Sequence, residues 1–139
     1  MKITSDDLKN GVWDDSISHL TCGKNESPQL SIEPVNGAVS YAVYMLDPDG
    51  HDWEHWASIG SETEIVHGDN PGSYVGPYPP SGTHRYIIYV FALKKEIYDL
   101  PGSFDAPGNR IEEIRRALGP LTLDEGSLTG TFTRRKGVI

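Results

Sequence analysis

Two stretches of the chain carry apolar side chains at successive positions. Val39 to Leu46 places Val39, Tyr41, Val43 and Met45 on one face and Ala42, Tyr44 and Leu46 on the other. Arg85 to Leu93 sets Tyr86, Ile88, Val90 and Ala92 opposite Ile87, Tyr89, Phe91 and Leu93. Strands apolar on both faces belong in the middle of a sheet that is covered on both sides. Around them the pattern weakens. Leu30 to Ile32 reads as a short strand, Trp53 to Ile59 as a strand leaving a turn, and Leu128 to Arg134 as a closing strand with threonines on one face. One helix is predicted, with Ile111, Ile114 and Leu118 at helical spacing, Asn109 as cap with Glu112 completing a capping box, and Gly119-Pro120 as the stop.

Turn-forming residues separate these elements. Asp47-Pro48-Asp49-Gly50 ends the first central strand, because proline cannot join the ladder and Asp and Gly favour a turn. Gly23 to Pro28 is a loop, Glu33 to Gly37 a turn, and 61–72 an acidic, loop-like stretch closing on a turn at Asp69 to Gly72. Gly76 to Gly82 holds three prolines and two glycines, which excludes regular structure. Residues 1–29 are polar, with Ile17 and Leu20 as the few apolar anchors. The whole predicts a mainly β fold with one peripheral helix, in a single domain over 1–139.

Charge narrows the partners. With 20 acidic and 12 basic side chains the net charge is −8, and only Arg134-Arg135-Lys136 is densely basic. No nucleic acid is expected, since that affinity comes from phosphate neutralisation by a basic face. Cys22 is alone, so no intrachain disulfide forms. The N-terminal residues lack the pattern of a signal peptide, and the apolar runs are far too short to span a bilayer. A soluble, cytoplasmic protein, not integral to a membrane, is expected.

Candidate chemistry gathers at two places. The first is Asp47 to Trp56, with His51, Asp52, Trp53, Glu54 and His55; the second is Gly76 to Tyr86, with His84 directly before Arg85 and Tyr86. Alternation puts His84 and Tyr86 on one face about 7 Å apart, where an imidazole and a phenol suit a small anion. Arg85 points the other way, toward a structural ion pair. Asp47 and Asp49 either stabilise their turn or, in part, orient an imidazole. His51 and His55 stand about 13 Å apart in extended chain, too far to chelate one ion, so no metal is expected. Trp53 and Trp56 fill the sheet edge or wall the site. Ser81 and Cys22 lack the setting of a nucleophile.

In this order, Asp47-Pro48-Asp49, Trp53-Glu54-His55-Trp56 and Gly76 to Tyr86 resemble the two signature blocks of the phosphatidylethanolamine-binding protein family, which includes the Raf kinase inhibitor proteins and small bacterial and archaeal relatives. Asn25 to Leu30, Tyr89 to Leu93 and Gly130 to Arg134 support the likeness, which runs from about residue 11 to 135. The resemblance implies a large central antiparallel sheet packed with a smaller one. It also implies a small pocket for phosphate-like anions and phospholipid head groups. Asp47, His55, Pro80, His84 and Tyr86 would form that pocket, with Gly76 and Pro77 as backbone wall and Asp49 in support; the residues themselves add Trp53 as an apolar wall and His51, at the short turn, as further supporting candidates. The two imidazoles would donate to the anion, and Asp47 would hold one of them in the donating tautomer. This chain departs from the family pattern at its short Gly50-His51 turn, at Ile32-Glu33, and in lacking a Gly-His-Val run near the end.

The expected function is therefore a regulatory protein that binds a small anion such as phosphate or a phosphoethanolamine-like group. No cofactor is expected, and a protein partner or a homodimer is open. The alternative is a small hydrolase acting on a phosphorylated or acyl substrate, with His84 or His55 as general base.

Overall fold

In the computed structural model, residues 1–69 and 71–134 are described. The elements run β1 (Ile3–Thr4), β2 (Leu8–Lys9), β3 (Val12–Trp13), β4 (Leu30–Ile32), β5 (Ser40–Asp47), β6 (Trp53–Gly60), β7 (Glu64–Ile65), β8 (Gly72–Tyr74), β9 (Thr83–Leu93), α1 (Ile111–Leu118) and β10 (Thr122–Thr133). The large sheet has the order β2-β3-β10-β9-β5-β6-β8 and the small one β1-β4-β7. Pairing is antiparallel apart from the β3–β10 contact. The predicted turn at Asp69 to Gly72 includes Asn70, which lies outside the described residues, as do Arg135 and Lys136 of the basic tail.

The two doubly apolar stretches are the neighbouring strands β5 and β9, and from Tyr41 onward the side chains divide as their alternation requires; Val39, expected on the Tyr41 face, precedes β5 and is exposed. Tyr41, Val43, Met45, Tyr86, Ile88, Val90 and Ala92 join the core toward the small sheet and the N-terminal segment. Ala42, Tyr44, Leu46, Phe91 and Leu93 pack on the other side against Ile114 and Leu118 of α1. Every position of β5 is buried. Fully burying one such aliphatic or aromatic side chain stabilises the fold by about 1.5–3 kcal/mol, so these faces dominate its stability.

The structure corrects four sequence expectations. Asn109 does not cap α1. Arg110 occupies the cap position, while the Asn109 amide accepts from Ser103 N (2.6 Å) and donates to the carbonyls of Ser103 and Ala106. The closing strand starts six residues earlier than 128, at Thr122. Its first half is polar because ionic contacts, Met1 NH3+ with Asp124 and Arg115 with Glu125, cover it in place of an apolar layer. The acidic stretch 61–72 contains β7, since Ile65 fills the small-sheet core opposite Leu30. The N-terminal segment also has two further anchors, Ile3 and Trp13. The Trp13 indole donates to the Tyr86 carbonyl at 2.9 Å, a bond that a polar sequence window does not announce.

A histidine outside the cores ties the loops together. His67 Nδ1 lies 2.8 Å from Asp7 and Nε2 3.3 Å from Glu26, so both ring nitrogens face carboxylates. That setting, chiefly the Asp7 hydrogen bond, raises its pKa above the ordinary 6.5. A group raised in the folded state stabilises fully below its unfolded value and loses that contribution as pH rises through its folded one. His67→Gln is therefore expected to lower stability by about 1 kcal/mol or less at pH 6, and by little at pH 9. Urea denaturation at the two pH values measures this.

Candidate functional site

The site is built on the carboxylate of Asp47, the last residue of β5. It is buried, and both oxygens are used: Oδ1 accepts from Asp49 N at 2.9 Å and Oδ2 from His84 Nδ1 at 2.7 Å. Gly50 closes the turn from Asp47 O, and a Cβ there would press on the same carboxylate at 2.5 Å. Asp49 turns outward and binds Arg85 through its backbone N, Nε and Nη2, which is the structural ion pair expected of that arginine.

His55 reaches the site through a β-bulge. The register passes from Met45↔Trp56 to Leu46↔Glu54, which leaves His55 as the extra residue. A bulge interrupts alternation and re-aims a side chain. Trp56 and His55 thus both turn toward the Tyr86 side, while Glu54 is opposite Leu46. The His55 ring meets Tyr86 edge-on at 5.2 Å, and the His84 ring stacks on Tyr86 at 6.3 Å. His55 Nδ1 donates to the Val75 carbonyl at 2.7 Å.

The loop after β8 forms the facing wall. Gly76 N donates to Asn25 Oδ1 at 2.6 Å, and a Cβ on Gly76 would collide with the Ile17 carbonyl, so this position admits glycine alone. The result is a cavity of about 500 Å³ lined by His19, Asp47, Gly50, His51, Trp53, His55, Val75, Gly76, Tyr78, Pro80, His84 and Asp105. Of the residues singled out in the sequence, Asp47, His51, Trp53, His55, Gly76, Pro80 and His84 line it. Tyr86 and Pro77 are buried behind the wall and Asp49 lies outside it. Sequence reasoning missed His19, Tyr78 and Asp105, which come from separate loops. Tyr78 did stand within the second block, and His19 beside the anchor Leu20. Asp105 gave no signal.

The electrostatics differ from the expected tautomer. Both imidazoles spend Nδ1 on a protein acceptor, so each neutral ring carries its lone pair on Nε2. A ring held this way donates from Nε2 only as imidazolium. Burial lowers the pKa of His55, against the raising effects of the Val75 carbonyl and Asp47. The Tyr86 hydroxyl is buried without a protein partner, and desolvation, with Asp47 nearby, pushes its pKa up and keeps it protonated. Among the described residues no three His, Cys, Asp or Glu side chains are placed to hold a metal ion, and no helix is long and apolar enough to cross a membrane.

A strand-rich sheet with a histidine-lined surface cavity defines the class, and comparison gives the family. Residues 5–133 match the phosphatidylethanolamine-binding protein family. The UPF0098 protein of Methanothermobacter thermautotrophicus is 35% identical over 84% of this chain and 89% of its own length. That of Aquifex aeolicus is 30% identical over 96% and 89%. In structure, Escherichia coli YbcL, a member of the mammalian PEBP family, superposes with a TM-score of 0.73 at 22% identity, over 96% of this chain and 98% of that one. A phosphatidylethanolamine-binding protein homologue of Chlamydia trachomatis gives 0.75 at 23% identity, over 96% and 97%. The chain belongs to the phosphatidylethanolamine-binding protein family.

One carboxyl beside the site carries a measurable cost. Glu54 is 1% exposed and its Oε1 has no hydrogen-bond partner; desolvation pushes its pKa up to about 7. Between the unfolded value of 4.5 and about 7 the folded state holds the extra proton, so stability falls as pH rises across that window. The loss amounts to about 3 kcal/mol at most. Glu54→Gln is expected to flatten the decline and to exceed the parent in stability at pH 8. Denaturant unfolding at pH 5, 6, 7 and 8 checks it.

Proposed function

We propose that the protein is an anion-binding module whose cavity takes a phosphate or phosphate-bearing head group between His55 and His84. One observation carries this reading. Two imidazoles, anchored through Nδ1 by different acceptors, flank one buried tyrosine on one cavity wall. Among the described residues no Lys or Arg lines that cavity, the nearest guanidinium being Arg134 over the outer Tyr78 ring, so imidazolium is the cation its lining can offer. Binding an anion then brings a proton with it, and affinity falls as pH rises. The module is read as regulatory and cytoplasmic, acting through a ligand-dependent protein partner or a second copy.

Titration with phosphate, acetate and phosphoethanolamine is expected to shift the imidazole NMR signals of His55 and His84 at millimolar ligand. Calorimetry in buffers of different ionisation enthalpy is expected to show net proton uptake near pH 7. No shift in either imidazole at millimolar phosphate would sink the proposal.

The Asp47–His84 pair supports a second reading, because a buried carboxylate on Nδ1 with the lone pair on Nε2 is how a general base is oriented. Among the described residues no Ser, Thr or Cys lines the cavity, so water would be the nucleophile. Under this reading His84→Ala abolishes hydrolysis of p-nitrophenyl phosphate or acetate. Turnover unchanged by that substitution excludes it.

A further inference from the structure

Four of the five histidines in the chain line this one cavity. Two are the buried pair, His55 and His84. The others, His19 and His51, stand exposed at its mouth, and neither ring nitrogen of either makes a hydrogen bond within the described residues. We propose that His19 and His51 form a second anion subsite, so that the ligand is a phosphorylated small molecule bearing a second anionic group. This deepens the proposed function and rests on the buried pair being a phosphate site.

The backbone holds both mouth imidazoles in place. His19 N donates to the Pro77 carbonyl at 2.9 Å, and its ring leans on Tyr78 at 5.7 Å. His51 is in the left-handed region, with φ +58, and its carbonyl accepts from Gly108 N at 2.8 Å. Neither side chain enters an apolar core. Their backbones are anchored beside the cavity and their ring nitrogens are unspent among the described residues.

Size and charge agree. About 500 Å³ lies within the range of small-molecule sites, whereas the five heavy atoms of phosphate would fill a small part of it. Of the wall carboxylates, Asp47 is paired with His84, while Asp105 accepts from the neutral Trp53 indole through Oδ1 at 2.9 Å and keeps its negative charge in the cavity wall. A second anionic group on the ligand needs donors, which the unspent ring nitrogens of His19 and His51 offer in the cavity lining, with the Arg134 guanidinium 5.3 Å over the ring of the neighbouring Tyr78.

The test is calorimetric titration at pH 6.0 with three phosphomonoesters of similar size: glycerol 3-phosphate, 3-phosphoglycerate and phosphoethanolamine. The parent protein is expected to bind 3-phosphoglycerate about fivefold or more tighter than glycerol 3-phosphate. His19→Ala combined with His51→Gly, which suits the left-handed backbone, is expected to erase that preference. The readout is the ratio of the two affinities within each protein, because His19 and His51 line the same cavity as the buried pair. Dispersed amide NMR spectra establish that the variant is folded, and His19→Ala alone, with an undisturbed turn, is expected to halve the preference or more. Equal binding of the first two esters, a preference that survives both substitutions, or tighter binding of phosphoethanolamine would overturn the second subsite and leave the phosphate reading standing. No binding of any ester overturns both.

Discussion

The site depends on burying the Asp47 carboxylate. A charge taken out of water is costly unless its lone pairs find donors. Here the Asp49 amide and the His84 ring supply them, one on each oxygen. Those two bonds join the end of β5, the turn that follows it and the start of β9, so the geometry of the imidazole follows from satisfying the acid. Gly50 belongs to the same constraint, because any side chain there would crowd that carboxylate. Asp49, the other acid of the turn, sits on the outer side, where Arg85 takes three of its hydrogen bonds and keeps it from competing for His84.

Much of this was legible in the chain. Two doubly apolar stretches specified neighbouring central strands, and from Tyr41 onward the residues that should share a face do share it. The turn at Asp47 to Gly50 and the irregular Gly76 to Gly82 followed from proline and glycine chemistry. The bulge at His55 was not legible, because strict alternation from Trp56 would have sent His55 to the opposite face and Glu54 to the core beside Trp56. Nor was the cap of α1. Asn109 has the right side chain for a cap, yet three backbone groups of a tight loop, Ser103 N, Ser103 O and Ala106 O, engage it instead. His19 and Asp105 enter the cavity from loops whose position depends on tertiary hydrogen bonds, such as His19 N to Pro77 O and Asp105 N to Glu54 O.

The bulge has a second effect. By turning His55 toward Tyr86 it leaves Glu54 on the α1 side, where its Oε1 lies against Gly102 and no donor meets it. One irregularity therefore creates both a poised imidazole and an unsatisfied acid at adjacent positions. The backbone of Glu54 meanwhile pairs with Asp105 and Ala106. The loop 101–109 that supplies Asp105 to the cavity is thus held by the same residue whose side chain is least comfortable there. Sites that break local rules tend to be the functional ones, and here both breaks share one residue step.

Under the proposed function, an acidic protein has to hold an anion against repulsion from its own surface. Lysine or arginine would offset it at every pH, at the cost of holding a fixed charge against the apolar walls of Trp53, Val75 and Tyr78. Imidazoles avoid that cost when the cavity is empty, because His55, its pKa lowered by burial, is neutral there. On the proposed reading, that ring takes up its charge when an anion arrives to stabilise it. The acceptors on Nδ1 make this conditional. With that nitrogen committed, a neutral ring presents a lone pair to the cavity, and an N–H appears on Nε2 with the proton that accompanies the ligand. On the proposed reading, anion and proton enter together at His55, whose Nδ1 is already committed.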